Sequence, residues 1–118
     1  MTKSKGAADI YMRFLQLSEV IRGLPALPPL DPLEERILAW VALAARSGER
    51  LSVRDMMGKD ELGAPATIHG RLKSMRRKGW ILLADTEDAR RKQVELTDAA
   101  LQHFAQLSRC VLKAARGS

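Results

Sequence analysis

The sequence predicts one small, mainly α-helical domain that carries a single β-hairpin. The chain has 118 residues, of which 46% are hydrophobic and only 4% aromatic. This length is enough to close one hydrophobic core, and the apolar residues are mainly Leu and Ala, which favour helix. The helical spacing of apolar residues is replaced by strand-like patterning only between residues 80 and 96. The predicted domain covers residues 7–118, behind a disordered basic tail at 1–6.

The first predicted helix covers residues 7–22 and has an apolar seam. Ile10, Phe14, Leu17 and Ile21 recur at spacings of four and three, which is typical of a helix that packs on another helix. Further apolar residues widen this surface to a second side. A second subunit would cover that side in a homodimer, so residues 7–24 are expected to be a dimerisation helix. The alternative is that this chain's own helices cover both sides.

A stiff, proline-rich connector separates this helix from the next one. Prolines lack an amide donor and force extended backbone, so residues 24–30 cannot be helical. The next helix has a strong start signal, because Asp31 can act as N-cap, Pro32 occupies the first helical position and Glu34 completes a capping box. Gly48 is expected to end this helix.

A helix-turn-helix pattern follows. Leu51 and Ser52 are expected to open a short third helix, with Ser52 and Asp55 as a capping pair and an end near residues 58–60. Leu62 and Gly63 form the predicted turn. A fourth helix then covers residues 64–79, and its inward face is expected to contain Ile68, Leu72 and Met75.

Residues 80–96 have the pattern of a hairpin, or wing. Residues 80–84 are apolar, residues 85–91 are polar and turn-rich, and residues 92–96 alternate polar and apolar side chains. Thr97 is a good N-cap for a last helix over 98–115, a second expected dimerisation helix whose candidate contacts are Phe104 and Val111. Residues 31–97 therefore have the element order of a winged helix-turn-helix, a motif in which this part would be the DNA-binding core.

The charge pattern points to nucleic acid as the partner. Lys and Arg total 20 against 14 acidic residues, which gives a formal charge of +6 and favours a polyanion. Helix 64–79, the expected recognition helix, contains five cations and no acid. A helix with such a face can enter the major groove of double-stranded DNA. The residues expected near bases are Pro65, Thr67, His69 and Gly70, and those expected at phosphates are Lys73, Arg76 and Arg77. The alternative is a solvated basic face without a ligand.

The tip of the wing is a second candidate contact. Asp88 precedes Arg90 by two residues and can orient its guanidinium by a forked hydrogen bond, with Arg91 next in the chain. A hairpin tip can reach the minor groove, whose negative potential attracts a guanidinium. The alternative is a surface ion pair of little energetic weight.

The run from Leu51 to Leu101 resembles the DNA-binding domain of the multiple-antibiotic-resistance regulator (MarR) family. The matching stretches are LSVRDM, PATIHGRLKSMRRKGWI and DTEDARRKQVELTDAA, and the last is similar to the family's wing signature. The resemblance implies a winged helix, a homodimer on an inverted-repeat operator, and transcriptional regulation, with repression as the expected outcome. Two positions depart from the family pattern: Gly70 stands where a basic residue is common, and Arg71 where an apolar residue is usual.

Several other classes of function find little support in the sequence. His69 and His103 are far apart and Cys110 is the single cysteine, so no metal site, cofactor site or internal disulfide is expected. No catalytic constellation, signal peptide or membrane span is recognisable, so we expect a non-enzymatic, cytoplasmic protein. A small-molecule effector and redox sensing by Cys110 stay open. A winged helix that serves as a protein-interaction module, without specific DNA binding, is the alternative function.

Overall fold

The computed structural model describes residues 2–22, 27–87 and 91–117. The chain divides into two compact units, one made of Met1–Ala26 with Leu101–Ser118 and the other of Leu27–Ala100. The predicted fold class is confirmed, since the described residues form five α-helices and a small antiparallel sheet. That the whole of 7–118 acts as a single domain stays a prediction.

Helix α2 (Pro32–Arg46) begins and ends as predicted. The Asp31 side chain accepts the amide of Glu34 at 2.8 Å, and the Glu34 carboxylate accepts the amide of Asp31 at 2.9 Å. These reciprocal bonds form a complete capping box and satisfy amides that a helix start leaves without partners. The C-cap is Ser47, followed by Gly48 with φ of +74°.

The helix-turn-helix is built from α3 (Val53–Met57) and α4 (Pro65–Lys78), with a one-turn 3₁₀-helix (Asp60–Leu62) between them. Ser52 caps α3 in a second capping box with Asp55, as the sequence predicts. The 3₁₀-helix was not predicted. The sequence predicted Leu62 only as part of a turn, and in the structure its side chain is buried in the core.

The sheet has three strands where the sequence predicted two. Strands β2 (Ile81–Asp85) and β3 (Lys92–Leu96) form the expected hairpin, with Ile81 opposite Leu96 and Asp85 opposite Lys92. Leu51 and Ser52 form a two-residue strand, β1, that pairs with β3 opposite Val94 and Gln93. The expectation that Leu51 opens α3 was therefore wrong, because extended backbone is what allows Ser52 to act as N-cap.

The core of the Leu27–Ala100 unit lies between α2, the helix-turn-helix and the sheet. Its fully buried side chains include the predicted inward residues of α4. One charged residue, Glu34, is buried with them at 1% exposure. The largest of these side chains are Ile37, Met56, Ile68, Leu72, Met75 and Ile81.

The other unit contains α1 (Thr2–Arg22) and most of α5 (Asp98–Arg116). Helix α1 begins at Thr2 and so includes residues 2–6, where the sequence predicted a disordered basic tail. Lys and Ala are strong helix formers and carry the helix past Gly6. In α5, the thiol-bearing Cys110 is buried.

Candidate nucleic-acid interface

Helix α4 is delimited by local chemistry at both ends. Ala64 precedes it in extended conformation and gives no side-chain cap, while Pro65 supplies a fixed φ at the first helical position. At the other end Gly79 adopts φ of +89°, in the left-handed region that favours glycine. Its amide donates to Arg76 and that of Trp80 donates to Met75, which satisfies carbonyls at the helix end.

The apolar row of α4 determines which of its side chains face solvent. Ile68, Leu72 and Met75 are at most 1% exposed. Because a helix turns by about 100° per residue, the residues between them must point to the sides or away from the core. All the recognition-helix residues singled out in the sequence are exposed, namely Pro65, Thr67, His69, Gly70, Lys73, Arg76 and Arg77.

A cleft of about 420 Å³ separates α4 from α3 and the base of the hairpin. Its apolar lining includes Leu72 of α4 and Leu83 of β2. Cationic and imidazole side chains from three elements surround this floor: Arg54, His69, Lys73, Arg76, Arg91 and Lys92. Lys92 is paired with Asp85, but the other cations line the same cleft and make its potential positive.

The cleft brings together four of the predicted contact residues and adds two that were missed. His69, Lys73 and Arg76 of α4 lie on it together with Arg91 of the wing. Sequence reasoning missed Arg54 and Lys92, which complete its lining. Arg54 is an exposed cation of α3, and only the fold brings it to the cleft.

The wing is braced at its base by contacts between its two strands. The Lys92 ammonium pairs with the Asp85 carboxylate across the ladder. The Thr86 hydroxyl donates to the carbonyl of Arg91 at 2.8 Å. These contacts hold the two strands of the hairpin together at residues 85–86 and 91–92. Asp88 and Arg90, the predicted minor-groove pair, lie outside the described residues.

The carboxylate of Asp55 in α3 interacts with the charge of Arg91 in the wing. The amide of Ser52 donates to its carboxylate, and this bond is the main reason that the pKa of Asp55 lies below its ordinary value of 3.8. Burial acts in the opposite direction, whereas the nearby charges of Arg91 and Lys59 lower the pKa further. Arg91 at the base of the wing therefore favours the charged form of this α3 carboxylate.

Two cations of α4 point away from the cleft. Arg71 pairs with Asp31 at 2.8 Å, and Lys78 pairs with Glu34 at 2.8 Å. The ion pair with Asp31 gives a partner to the charge of Arg71, at a position where the family that the sequence resembles usually has an apolar residue. The charge that α4 presents to solvent is therefore concentrated in Lys73, Arg76 and Arg77.

The candidate dimerisation residues lie in the unit that contains α1 and α5. Ile10 and Val111 are 41% and 52% exposed, and the others are half-buried: Phe14, Leu17, Ile21 and Phe104. Further apolar side chains of α1 are exposed, with Tyr11 at 62% and Val20 at 70%. A unit of two helices that exposes this much apolar surface is typical of a protein with an interaction partner.

The described parts of the chain contain neither a metal-binding type of cluster nor a membrane-spanning type of helix. Among these residues, no three His, Cys, Asp or Glu side chains group closely enough to hold a metal ion. No helix within the described ranges combines the length and apolar character of a membrane span.

No protein-family model and no curated protein matches this sequence, but solved structures do. A mutant of MepR, a Staphylococcus aureus transcription regulator, bound to an oligodeoxyribonucleotide superposes with a TM-score of 0.62 at 15% identity, over 98% of this chain and 78% of that one. A MarR-like transcriptional regulator from Thermotoga maritima gives 0.60 at 16% identity, over 99% and 80%. The heme sensor PefR from Streptococcus agalactiae, in complex with heme, gives 0.57 at 16% identity, over 98% and 76%.

These similarities establish the fold. The chain has the winged helix-turn-helix architecture of MarR-like regulators, which confirms the fold implied by the sequence motifs. The same fold can host unrelated functions, so a function for this chain has to be argued from its own residues.

Proposed function

We propose that the chain is a transcriptional regulator that binds double-stranded DNA sequence-specifically as a homodimer, with repression through an inverted-repeat operator as its expected mode of action. The observation that supports this most is the convergence of cations from three separate elements on one side of the Leu27–Ala100 unit. Arg54 comes from α3, Lys73 and Arg76 come from α4, and Arg91 comes from the wing. Like charges repel each other, so cations that line one cleft favour binding of a polyanion there.

In this proposal, α4 lies in the major groove and the wing lies beside it. Pro65, Thr67, His69 and Gly70 occupy the first half of α4, where side chains and backbone can reach base edges. The cations further along α4 and around the cleft bind phosphates and set the register of the protein on the duplex. Asp88 and Arg90 at the wing tip are proposed for the minor groove, as the family resemblance implies.

Two of the structurally similar proteins were solved with a bound ligand, which supports the proposal. The MepR mutant was solved with an oligodeoxyribonucleotide, so a chain of this architecture can bind DNA. PefR was solved with heme, which supports keeping a small-molecule effector within the proposal.

The DNA-binding proposal is tested by selecting ligands from a pool of random-sequence duplexes. We expect enrichment of an inverted repeat, which fluorescence anisotropy should then show to bind at least about 10³-fold more tightly than a shuffled duplex at physiological salt. Equal binding to both duplexes would contradict sequence-specific regulation. Absence of binding even at low salt would favour the protein-interaction module instead.

The homodimer is tested separately by sedimentation equilibrium. Placing lysine at Ile10 and Val111 puts charge on the exposed apolar surface of α1 and α5, so the double variant should be monomeric. Leu43→Lys is a suitable control, because Leu43 is 65% exposed but belongs to the other unit. A wild-type monomer, or equal dissociation in the control, would contradict the assignment of the dimerisation surface.

A further inference from the structure

Arg71 and Lys78 lie two helical turns apart on the same side of α4, and both are bound by residues at the start of α2. The Arg71 Nε lies 2.8 Å from Asp31 Oδ2, and the Lys78 Nζ lies 2.8 Å from Glu34 Oε1. The Lys78 ammonium also donates to the carbonyl of Pro29 at 3.0 Å. Two of its three protons are therefore already engaged within the chain.

The two acceptors are the partners of the α2 capping box. Asp31 and Glu34 use their side chains to accept each other's backbone amides, and the same carboxylates hold the two cations of α4. The arrangement links the first turn of α2 directly to the recognition helix. It also includes the proline segment before α2, because the indole of Trp80 donates to the Pro28 carbonyl at 2.7 Å.

The Lys78–Glu34 pair lies in an environment that fixes its geometry. The Glu34 side chain is 1% exposed and that of Lys78 is 27% exposed. Burial would raise the pKa of Glu34, but hydrogen bonds from the Asp31 amide and from the Lys78 and Ser74 side chains lower it below its ordinary value, helped by the Lys78 charge. Glu34 is therefore a carboxylate at neutral pH, and withdrawal of Lys78 would leave a buried charge without its cation.

We propose that Arg71 and Lys78 are positioning residues, which orient the recognition helix for DNA through the α2 capping box without contacting DNA themselves. This inference rests on the proposed function. The apolar row of α4 holds the helix against the core, but apolar contact is non-directional and tolerates small rotations. The Lys78–Glu34 hydrogen bond and the Arg71–Asp31 ion pair lie on one side of the helix and restrain its rotation. They thereby set the direction in which Lys73, Arg76 and Arg77 project.

The capping-box double variant Asp31→Asn/Glu34→Gln tests this without altering any cation. Asn still caps a helix and Gln still completes a capping box, so α2 should keep its start, while both carboxylate charges are lost. Glu35→Gln/Glu49→Gln is the matched control, because both residues are exposed acids and the change in net charge is the same. Relative to this control, we expect at least a tenfold loss of affinity for the selected duplex and no loss for a shuffled one. Binding of the selected duplex as tightly as the control would overturn the proposal.

The salt dependence of the cation variants gives an independent test. A residue that neutralises a phosphate contributes about 0.9 to the slope of log K against log salt concentration. Lys73→Gln should therefore lower the slope by about one, whereas Arg71→Gln and Lys78→Gln should weaken specific binding with the slope unchanged. A fall of about one in either of these two variants would overturn the proposal. Arg71→Gln keeps the test valid if Lys78→Gln fails to fold, because the Arg71–Asp31 pair is half-exposed.

A measurement without DNA separates this inference from the proposed function. The amides of Gly79 and Trp80 close the end of α4, and their hydrogen exchange should be about tenfold faster in the capping-box double variant than in its control. Unchanged exchange would overturn the positioning role whether or not the protein binds DNA. Failure of the wild type to select any sequence would instead refute the proposed function.

Discussion

Gly70 lies in the middle of α4 on its exposed side, and its replacement by alanine should stabilise the free protein while weakening its binding to DNA. A Cβ added at Gly70 meets no atom within 4 Å, so no steric cost offsets the gain. Glycine in a helix interior is about 1 kcal/mol less favourable than alanine. For a unit of this size, that gain corresponds to a rise in melting temperature of about 4–8 °C.

The effect on DNA binding has the opposite sign. The proposed role of Gly70 is to let the backbone of α4 approach the bases closely, and a methyl group would occupy that space. We expect a loss of at least tenfold in affinity for the selected duplex, which corresponds to about 1.4 kcal/mol. Thermal denaturation and fluorescence anisotropy on the same preparation measure the two effects.

Gly6→Ala is the matched control for this experiment. Gly6 also lies within a helix, and a Cβ there also meets nothing within 4 Å. This variant should be as stable as the wild type or more so, with unchanged DNA affinity. If Gly70→Ala raises the melting temperature and binds the selected duplex as tightly as the wild type, the α4 backbone does not approach the bases at this position.

Three further predictions concern stability. Gly79→Ala should lower the free energy of unfolding in urea by about 1–2 kcal/mol, because Gly79 has a left-handed φ. The added Cβ would also lie 3.3 Å from Leu27. An unchanged unfolding midpoint would refute this prediction. Glu34 has a pKa below its ordinary value of 4.5, so its stabilising contribution is present above that pH and is lost as the pH falls below it. Urea unfolding at about pH 6 and about pH 4 should therefore show a smaller loss of stability in Glu34→Gln than in the wild type, and equal losses would exclude this role. Trp80→Phe removes the hydrogen bond to Pro28 and should cost about 1 kcal/mol from that bond alone; denaturation indistinguishable from the wild type would count against it.

Much of the fold could be predicted because local signals and apolar spacing agree. The capping boxes at Asp31 and Ser52 are encoded by residues three positions apart, so they are visible without the structure. The inward row of α4 follows from helical spacing alone. In contrast, β1 has only two residues and exists because β3 lies beside it. A strand of that length has no detectable period and depends on tertiary pairing.

The residue types of the candidate site could be predicted from the sequence, but which of these residues lie together could be predicted only in part. The basic character of α4 is evident from a single helix, and so is the wing that follows it. However, the division of the α4 cations into paired and solvent-facing sets depends on Asp31 and Glu34, which are distant in sequence. Sequence reasoning could assign Asp31 and Glu34 only to the capping of α2. Arg54 was missed for a similar reason, since only the fold brings α3 to the cleft.

The most direct test of the account compares two single-charge variants across a salt series with the selected duplex. Arg76 lies on the cleft, whereas Arg46 is an exposed cation in the last turn of α2 that lies outside it. Arg76→Gln and Arg46→Gln change the net charge equally, so a general electrostatic attraction would affect both alike. We expect Arg76→Gln to weaken binding and to lower the salt slope by about one, while Arg46→Gln should change neither. Equal effects of the two variants would contradict the proposed interface on α4.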